Sequence, residues 1–332
     1  MKNVTIQDIA NEAKVSKATV SRVLNNSSVV HPEKRKAIME ATERLGFQPN
    51  VVARSLASGR SMTIGVLTQN IGSPFYDAIS QGVIAGFGGT GYSPIFVDGR
   101  WQPDAEVEAI QALLGRRVDG LVLIGGDIEA DHLAQLSRGL PTIIVARELP
   151  GAHHCIFTDN VDGGYRATKL LIENGHREIA IILGIKHHPD AIDRFDGYRK
   201  ALEDGGIEFD DDLVIAGDFS AESGVRAIDE LCEGGRSFSA VFAANDTTAF
   251  GARLALYRRG LEVPGDVSLV GFDDQAESAF MAPPLTTVRQ PGREMGERAS
   301  QALLDLIDGK SFESQSLLGE LMVRESVSPA RG

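Results

Sequence analysis

Cysteine is scarce in this chain of 332 residues: only Cys155 and Cys232 are present. Neither lies in a CxxC pair or near a ligand-spaced histidine, which argues against a disulfide framework and against a zinc site. No apolar run approaches the roughly 20 residues that span a bilayer. The amino-terminal MKNVTIQDIANEA lacks the continuous apolar core of a secretory signal, so the expected compartment is the cytoplasm, with no membrane partner. No GxSxG occurs, and the cysteines are not set in electropositive surroundings. The glycine run GFGGTGY from Gly86 follows an apparent helix rather than joining a strand to a helix. It therefore fits neither a P-loop nor a dinucleotide fingerprint and reads as a helix terminus. His153-His154 and His187-His188 are chain neighbours, which rarely bind one metal together, and both read as surface-loop residues. Carboxylates are plentiful, yet no spacing assigns acid and base roles, so they point to ligand hydrogen bonding rather than hydrolysis. No cofactor, no metal and no enzymatic activity are expected.

Positive charge is short overall and concentrated at one end. The chain carries a net −13, but residues 1–61 hold ten Lys/Arg against five Asp/Glu, a local +5 against −18 for the remainder. A basic head on an acidic body is the footprint of a protein that meets phosphate at one end only. The length allows two or three domains, and 42% hydrophobic residues is ordinary for a folded globular chain.

The basic end contains TIQDIANEAKVSKATVSRVLN from Thr5 to Asn25. Thr5 is a suitable N-cap with Asp8 three residues on, and Ile6, Ile9, Ala10 and Ala13 recur at helical spacing. Lys14 and Val15 make a turn, and Ser16 caps a second helix. On that helix Ala18, Val20, Val23 and Leu24 turn inward or sit close to the core, while Lys17, Thr19, Ser21, Arg22 and Asn25 face out. The outward set holds cations and hydrogen-bonding groups without a carboxylate, a composition suited to the DNA major groove. His31-Pro32-Glu33 opens a third helix, Ile38, Ala41, Thr42 and Leu45 continue its inner face, and Gly46 stops it. Lys34, Arg35 and Lys36 read as a solvated face. A unit of about 45 residues is small for independent stability, so a modest core is expected.

Phe47 to Arg60 reads as a linker that carries Val51, Val52, Ala53 and Leu56 without room for a core of its own. A helix of about seven residues there is too short to persist alone in water. From Met62 the pattern changes to βα alternation: MTIGVLTQ, SPIFVDG, VDGLVLIG and PTIIVAR, then EIAIILG, DLVIAGD, AVFAAND and VSLVGFDD. Strands rich in Val and Ile with little polar alternation are buried on both faces, as in parallel sheets covered by helices. Two such series predict an α/β core with two lobes and a cleft between them. In open parallel sheets ligands sit beyond the carboxyl ends of the strands. Those ends supply Asn70 to Tyr76, Asp98, Gly125-Gly126-Asp127, Arg147, Gly184, Asp218-Phe219, Asn245-Asp246 and Asp273-Asp274, with Arg194 in the segment after Gly184. This mixture of carboxylates, amides, guanidinium and flat apolar faces suits a sugar, whose hydroxyls pair with polar groups while its C–H face stacks on an aromatic.

IQDIANEAKVSKATVSRVLN, followed by VVHPEKRKAIMEATERLGFQPNVVARSLASGRSMTIGVL, resembles the amino-terminal headpiece and hinge of the LacI/GalR family of bacterial transcription regulators. The likeness continues in family-like segments to the end of the chain and includes a core like the periplasmic sugar-binding proteins. It implies a headpiece over 1–47, a hinge helix and linker over 48–61, and an effector-binding and dimerisation core over 62–332. It implies three crossings between lobes, giving a first lobe of about 62–160 plus 291–324 and a second of about 161–290. The implied DNA contacts are Thr5, Ser16, Lys17, Ala18, Thr19, Ser21, Arg22, Asn25, Asn50, Ala53 and Leu56. Lys17 and Ala18 would face variable bases, Arg22 a guanine, and Leu56 would wedge into the minor groove. RFDGYRKAL gives Arg194 as an effector contact, AGDFSAESG gives Phe219, AANDTTAFG gives Asn245, and VGFDDQAESAFMAPPLTTVRQP gives Asp273; Ser73, Phe75 and Arg147 complete the implied set. The implied partners are a pseudo-palindromic double-stranded DNA operator, a small-molecule effector of sugar type and a second copy of the chain. SVSPARG ends the sequence without leucine heptads, which favours a dimer over a coiled-coil tetramer. A purine-type corepressor stays open as a ligand, and a sugar-modifying or NAD-dependent enzyme is the alternative of a different class, although it leaves the basic headpiece unexplained.

Overall fold

The computed structural model describes residues 4–24, 30–47, 60–149, 151 and 154–331. The chain separates into two compact units, Met1–Ser61 and Met62–Gly332.

In the smaller unit, α1 (Ile6–Glu12), α2 (Lys17–Leu24) and α3 (Pro32–Leu45) enclose Ile9, Ala10, Val20, Val23, Ile38 and Ala41. Thr5 and Asp8 form a reciprocal capping box: the Asp8 carboxylate accepts the Thr5 N–H at 2.8 Å, and the Thr5 hydroxyl accepts the Asp8 N–H at 3.4 Å. Arg44 on α3 pairs with Glu12 on α1 at 2.7 Å. Gly46 ends α3 in the left-handed region at φ 62°, where a side chain would be strained. With only four larger aliphatics buried among the described residues, this core is small against the entropy of ordering three helices.

The larger unit contains two six-stranded sheets. The first is built from β1 (Thr63–Thr68), β2 (Ser93–Asp98), β3 (Gly120–Ile124), β4 (Thr142–Val145), β5 (His154–Thr158) and β11 (Gln315–Leu317), in the order β11-β5-β4-β3-β1-β2, all parallel. The second runs β12 (Glu320–Met322), β10 (Thr286–Arg289), β9 (Ser268–Asp273), β8 (Ala240–Ala243), β6 (Ile179–Ile182), β7 (Val214–Ile215). Its one antiparallel pair is β10 with β12. Helices α4 (Pro74–Gly86), α5 (Pro103–Gly115), α6 (Ala130–Ser137) and α11 (Gly292–Ile307) cover the first sheet. Helices α7 (Asn160–Glu173), α8 (Pro189–Asp204), α9 (Ala221–Glu233) and α10 (Asp246–Arg258) cover the second. Ile64, Val66, Val122, Ile143 and Val145 are fully buried in the first lobe, as are Ile179, Ile181, Val241 and Leu269 in the second. In each sheet the strand order reverses beside the first strand of the series, between β1 and β3 and between β6 and β8, which opens a crevice at the carboxyl ends. The chain passes between lobes after β5, after β10 and between β11 and β12.

Three expectations need correction. The first lobe does not extend through residue 324: β12 lies in the second sheet, where Thr287 faces Met322 and Val288 faces Leu321. Beyond it the Ser326 hydroxyl donates to the Leu269 carbonyl at 2.6 Å, so the tail from Glu320 belongs to the second lobe. The open edge of β10 needs hydrogen-bond partners, and the tail supplies them. DLVIAGD is not a full strand, because a 3-10 turn over Asp211–Leu213 leaves only Val214–Ile215 to pair. His188 is not a surface-loop residue: it is 8% exposed and caps α8 by accepting the Asp190 N–H.

Helices α4 and α11 approach so closely that a Cβ on Gly82 would overlap the Arg293 carbonyl, and one on Gly296 would overlap the Ile79 carbonyl. Gly82→Ala is therefore expected to destabilise the core by about 2–3 kcal/mol through overpacking. Urea denaturation checks this, and a variant as stable as the parent would contradict the contact.

Candidate functional site

Two surfaces carry polar chemistry, one in each unit. On the headpiece, Ser16 caps α2: its hydroxyl accepts the Thr19 N–H at 3.2 Å and lies 2.8 Å from the Thr19 hydroxyl. Both side chains thus orient the amino end of α2, whose first turn holds no acid and whose last turn carries Arg22. With no acid in its own first turn, the positive end of such a helix favours an approaching phosphate. Thr5, Lys17 and Ala18 are exposed and, with Ser21, line one shallow groove where the starts of α1 and α2 meet. Ala18 therefore faces solvent rather than the core, whereas Val20 and Val23 are buried. Arg22 is exposed, and Thr19 and Ser21 are half-buried. Asn25, Asn50, Ala53 and Leu56 lie outside the described residues.

The cleft of the core encloses about 300 Å³. The first lobe contributes Asn70, Ser73, Phe75 and Tyr76, where β1 turns into α4, and Trp101 from the β2–α5 loop. From the second lobe come His188, Asp190 and Arg194 on and before α8, Asp218 and Phe219 before α9, Asn245 and Thr247 around the start of α10, and Asp273 and Gln275 after β9. Aromatic rings follow one another across it: Phe75 to Tyr76 at 5.3 Å, Tyr76 to Trp101 at 5.8 Å, Trp101 to His188 at 4.4 Å, and His188 to Phe219 at 5.3 Å. The Trp101 to His188 step joins the two lobes.

Arg194 forms the polar floor and is 3% exposed. Its Nε donates to the Asn160 side-chain oxygen at 2.9 Å and its Nη1 to the Ala244 carbonyl at 2.6 Å. Its Nη2 lies 3.7 Å from both Asp190 and Asp273. The guanidinium also stacks 3.8 Å from the centre of the Phe272 ring. Burial, opposed by Arg194, pushes the Asp273 carboxyl up to about 6 and raises that of Asp190. Burial and then the Arg194 charge push His188 down to about 4, so its imidazole is neutral near pH 7. Beneath the floor, Asp246 accepts from the Ser278 and Thr287 hydroxyls at 2.6 Å each and from the Gln275 N–H at 2.8 Å. Burial and the neighbouring Asp273 nevertheless push its carboxyl up to about 7.

Of the effector residues expected from the sequence, Ser73, Phe75, Arg194, Phe219, Asn245 and Asp273 line this one cleft. Asn245 is tied down within it, accepting the Thr248 N–H at 2.9 Å as the cap of α10 and donating to the Phe219 carbonyl at 3.2 Å. Arg147 is the exception. The chain leaves β4 through Ala146 at φ 60°, and Arg147 turns back to donate to the Gly126 and Ile128 carbonyls at 2.7 and 3.0 Å, away from the cleft lining. Trp101, His188, Asp190, Thr247 and Gln275 also line the cleft, beyond the effector residues expected from the sequence. Trp101 stands three residues past the strand-end Asp98, and Asp190 stands one helical turn before Arg194, so both had a spacing signal. Among the described residues no cluster of His, Cys, Asp and Glu could hold a metal ion, and no helix is long and apolar enough to cross a membrane.

The profile of the lacI family of bacterial regulatory proteins matches residues 5–50, and that of the periplasmic binding protein-like domain matches residues 168–327. Catabolite control protein A of Priestia megaterium is 32% identical over 94% of this chain and 95% of its own length. The solved structure of the Lac repressor dimer bound to operator and the anti-inducer ONPF is 29% identical, with a TM-score of 0.89 over 98% of this chain and 100% of that one. The complex of the transcriptional regulator CelR with cellobiose is 36% identical, with a TM-score of 0.72 over 98% and 100%.

Asp246 generates a pH prediction. A carboxyl raised from its unfolded value near 3.8 to about 7 in the fold binds more protons folded than unfolded between those values. Its contribution to stability is complete below about pH 4 and is lost as pH rises through about 7. From pH 5 to 7.5 the parent should therefore lose ground to Asp246→Asn by about 2–3 kcal/mol. Urea unfolding of both proteins at the two pH values checks it, and a parent that gained on the variant with rising pH would contradict it.

Proposed function

Because this chain belongs to the LacI family of bacterial regulatory proteins and is a DNA-binding transcription regulator, we propose that it represses carbohydrate-utilisation genes and leaves its operator when a sugar binds between the lobes of its core. The observation that carries this reading is the pairing, in one chain, of a basic helix-turn-helix lacking acid on its second helix with a cleft of polar and aromatic walls. On this reading the protein works in the cytoplasm as a homodimer, like the Lac repressor dimer seen on its operator. Two headpieces then read a pseudo-palindromic site. Lys17 and Ala18 face the variable bases, Arg22 takes a guanine edge, and Thr5, Ser16, Thr19 and Ser21 serve phosphate and base contacts around them. Leu56, with Asn50 and Ala53 beside it, acts in the minor groove, and Asn25 at the end of the recognition segment. The cleft residues Ser73, Phe75, Arg194, Phe219, Asn245 and Asp273 take the effector. CelR, a relative of this chain, has been solved with cellobiose, which supports a sugar as the ligand class. The effector acts by population shift, limited by its differential affinity for the two lobe arrangements.

Selection from a randomised duplex pool should enrich one pseudo-palindromic motif, and absence of any enriched motif would contradict sequence-specific binding. On that motif Arg22→Ala should weaken affinity by about 1–3 kcal/mol and relax preference at one base pair per half-site. Anisotropy titration at fixed salt reads both effects. An Arg22→Ala protein with the parent's affinity and preference would remove the guanine contact. If a purine rather than a sugar changed operator affinity, and tightened it, the effector class and the direction of the response would both be wrong.

A further inference from the structure

The charge and ring arrangement of the cleft restricts its ligand further, on the basis of the sugar reading above. Arg194 is the only Lys or Arg among the described residues that line the cleft. Its Nε and Nη1 are engaged by Asn160 and the Ala244 carbonyl, and its Nη2 sits between Asp190 and Asp273. The positive charge is thus balanced inside the protein, while the carboxylates of Asp190, Asp273 and Asp218, the last paired with Arg226 at 3.1 Å, line the same volume. His188 supplies no charge near neutral pH. A phosphoryl or carboxylate group entering here would lose water without gaining a cation and would stand against acidic walls, a cost that rejects rather than selects.

The rings point the other way. Trp101 is held at the cleft by strained backbone: Arg100 and Trp101 are both left-handed, at φ 54° and 52°. A residue with a side chain adopts this region only at an energetic cost. Asp98 accepts the Arg100 N–H at 2.9 Å, and the Gln69 side-chain oxygen accepts the Trp101 N–H at 2.8 Å, which fixes the conformation. Gly125 lets the indole lie close, since a Cβ there would stand 3.1 Å from the ring. On the side of the second lobe the ring meets only a neutral imidazole, that of His188 at 4.4 Å, among its ring contacts. A rigid, half-buried indole facing a polar cavity is a platform for the C–H face of a sugar ring.

We propose that the cleft takes an uncharged sugar, seated with its C–H face on the indole of Trp101 in place of the His188 imidazole, and that it excludes phosphorylated and acidic sugars. Trp101 is thereby a specificity-determining residue of the effector site.

Trp101 is the sole tryptophan of the sequence, so intrinsic emission reports this one position. The full-length protein is titrated with glucose, galactose, ribose, cellobiose, glucose 6-phosphate, galactose 6-phosphate, ribose 5-phosphate and inorganic phosphate, by fluorescence and by calorimetry. A neutral sugar should bind saturably and shift the emission, with its phosphorylated counterpart weaker by about 100-fold or more. Trp101→Ala should weaken the neutral sugar by about 10-fold or more while Trp101→Phe restores most of the affinity, as expected for stacking. A phosphorylated sugar that bound as tightly as its neutral parent, or inorganic phosphate that bound the cleft, would overturn the charge argument. Calorimetric binding of a neutral sugar with unchanged emission and an unaffected Trp101→Ala variant would overturn the seat. If no sugar in the panel bound while specific operator binding persisted, the sugar reading itself would fail, and this inference with it.

Discussion

Arg194 holds the second lobe together at the point where ligand chemistry is wanted. Its guanidinium ties α8 to Asn160 at the first crossing between lobes, to the Ala244 carbonyl at the end of β8 and to Asp273 at the end of β9, while lying flat on Phe272. A charge so buried persists only because those partners surround it. Asp190 and Asp273 depend on it in turn, since burial alone raises both carboxyls and Arg194 opposes the rise. The cleft floor is therefore a single electrostatic unit rather than a set of separate contacts, and its residues cannot be exchanged one at a time without disturbing the rest.

Backbone strain gathers around the same floor. Asn70, Trp101, Phe219 and Asp273 all line the cleft with left-handed backbone, although none is glycine. Each lies where a strand hands over to a loop, and local hydrogen bonds hold the geometry: Asp98 accepts the Asn70 N–H, Gln69 that of Trp101, and Gln290 donates to Asp273. Conformations of this kind are retained where the surrounding structure over-determines them, and that is commonest at binding sites.

Much of this was legible in the sequence because the physics was local. The helix-turn-helix follows from spacing, with Thr5, Ser16 and Gly46 marking its helix ends, and the cleft positions follow from counting to the end of each apolar strand. The departures from the sequence pattern depend on tertiary geometry. Arg147 follows a strand like the other candidates, but the left-handed Ala146 redirects it to the Gly126 and Ile128 carbonyls. His188 reads in sequence as half of a surface pair, but the start of α8 brings it against Trp101. The tail beyond Gly319 pairs with β10 because that edge lies open to it, which no short-range pattern could reveal. Trp101 does not belong with these: its position just past β2 fits the strand-end rule and is legible in the sequence.

On the proposed function, cleft and operator are coupled. Coupling of this kind is reciprocal: a ligand that changes operator affinity by some factor must have its own affinity changed by the operator by that same factor, commonly about 5–150-fold. The decisive measurement is a closed cycle at fixed salt, with operator affinity determined with and without saturating sugar, and sugar affinity with and without saturating operator. Sugar should weaken operator binding, and operator should weaken sugar binding by an equal factor. A sugar that bound the cleft with the same affinity whether or not operator was present would contradict it.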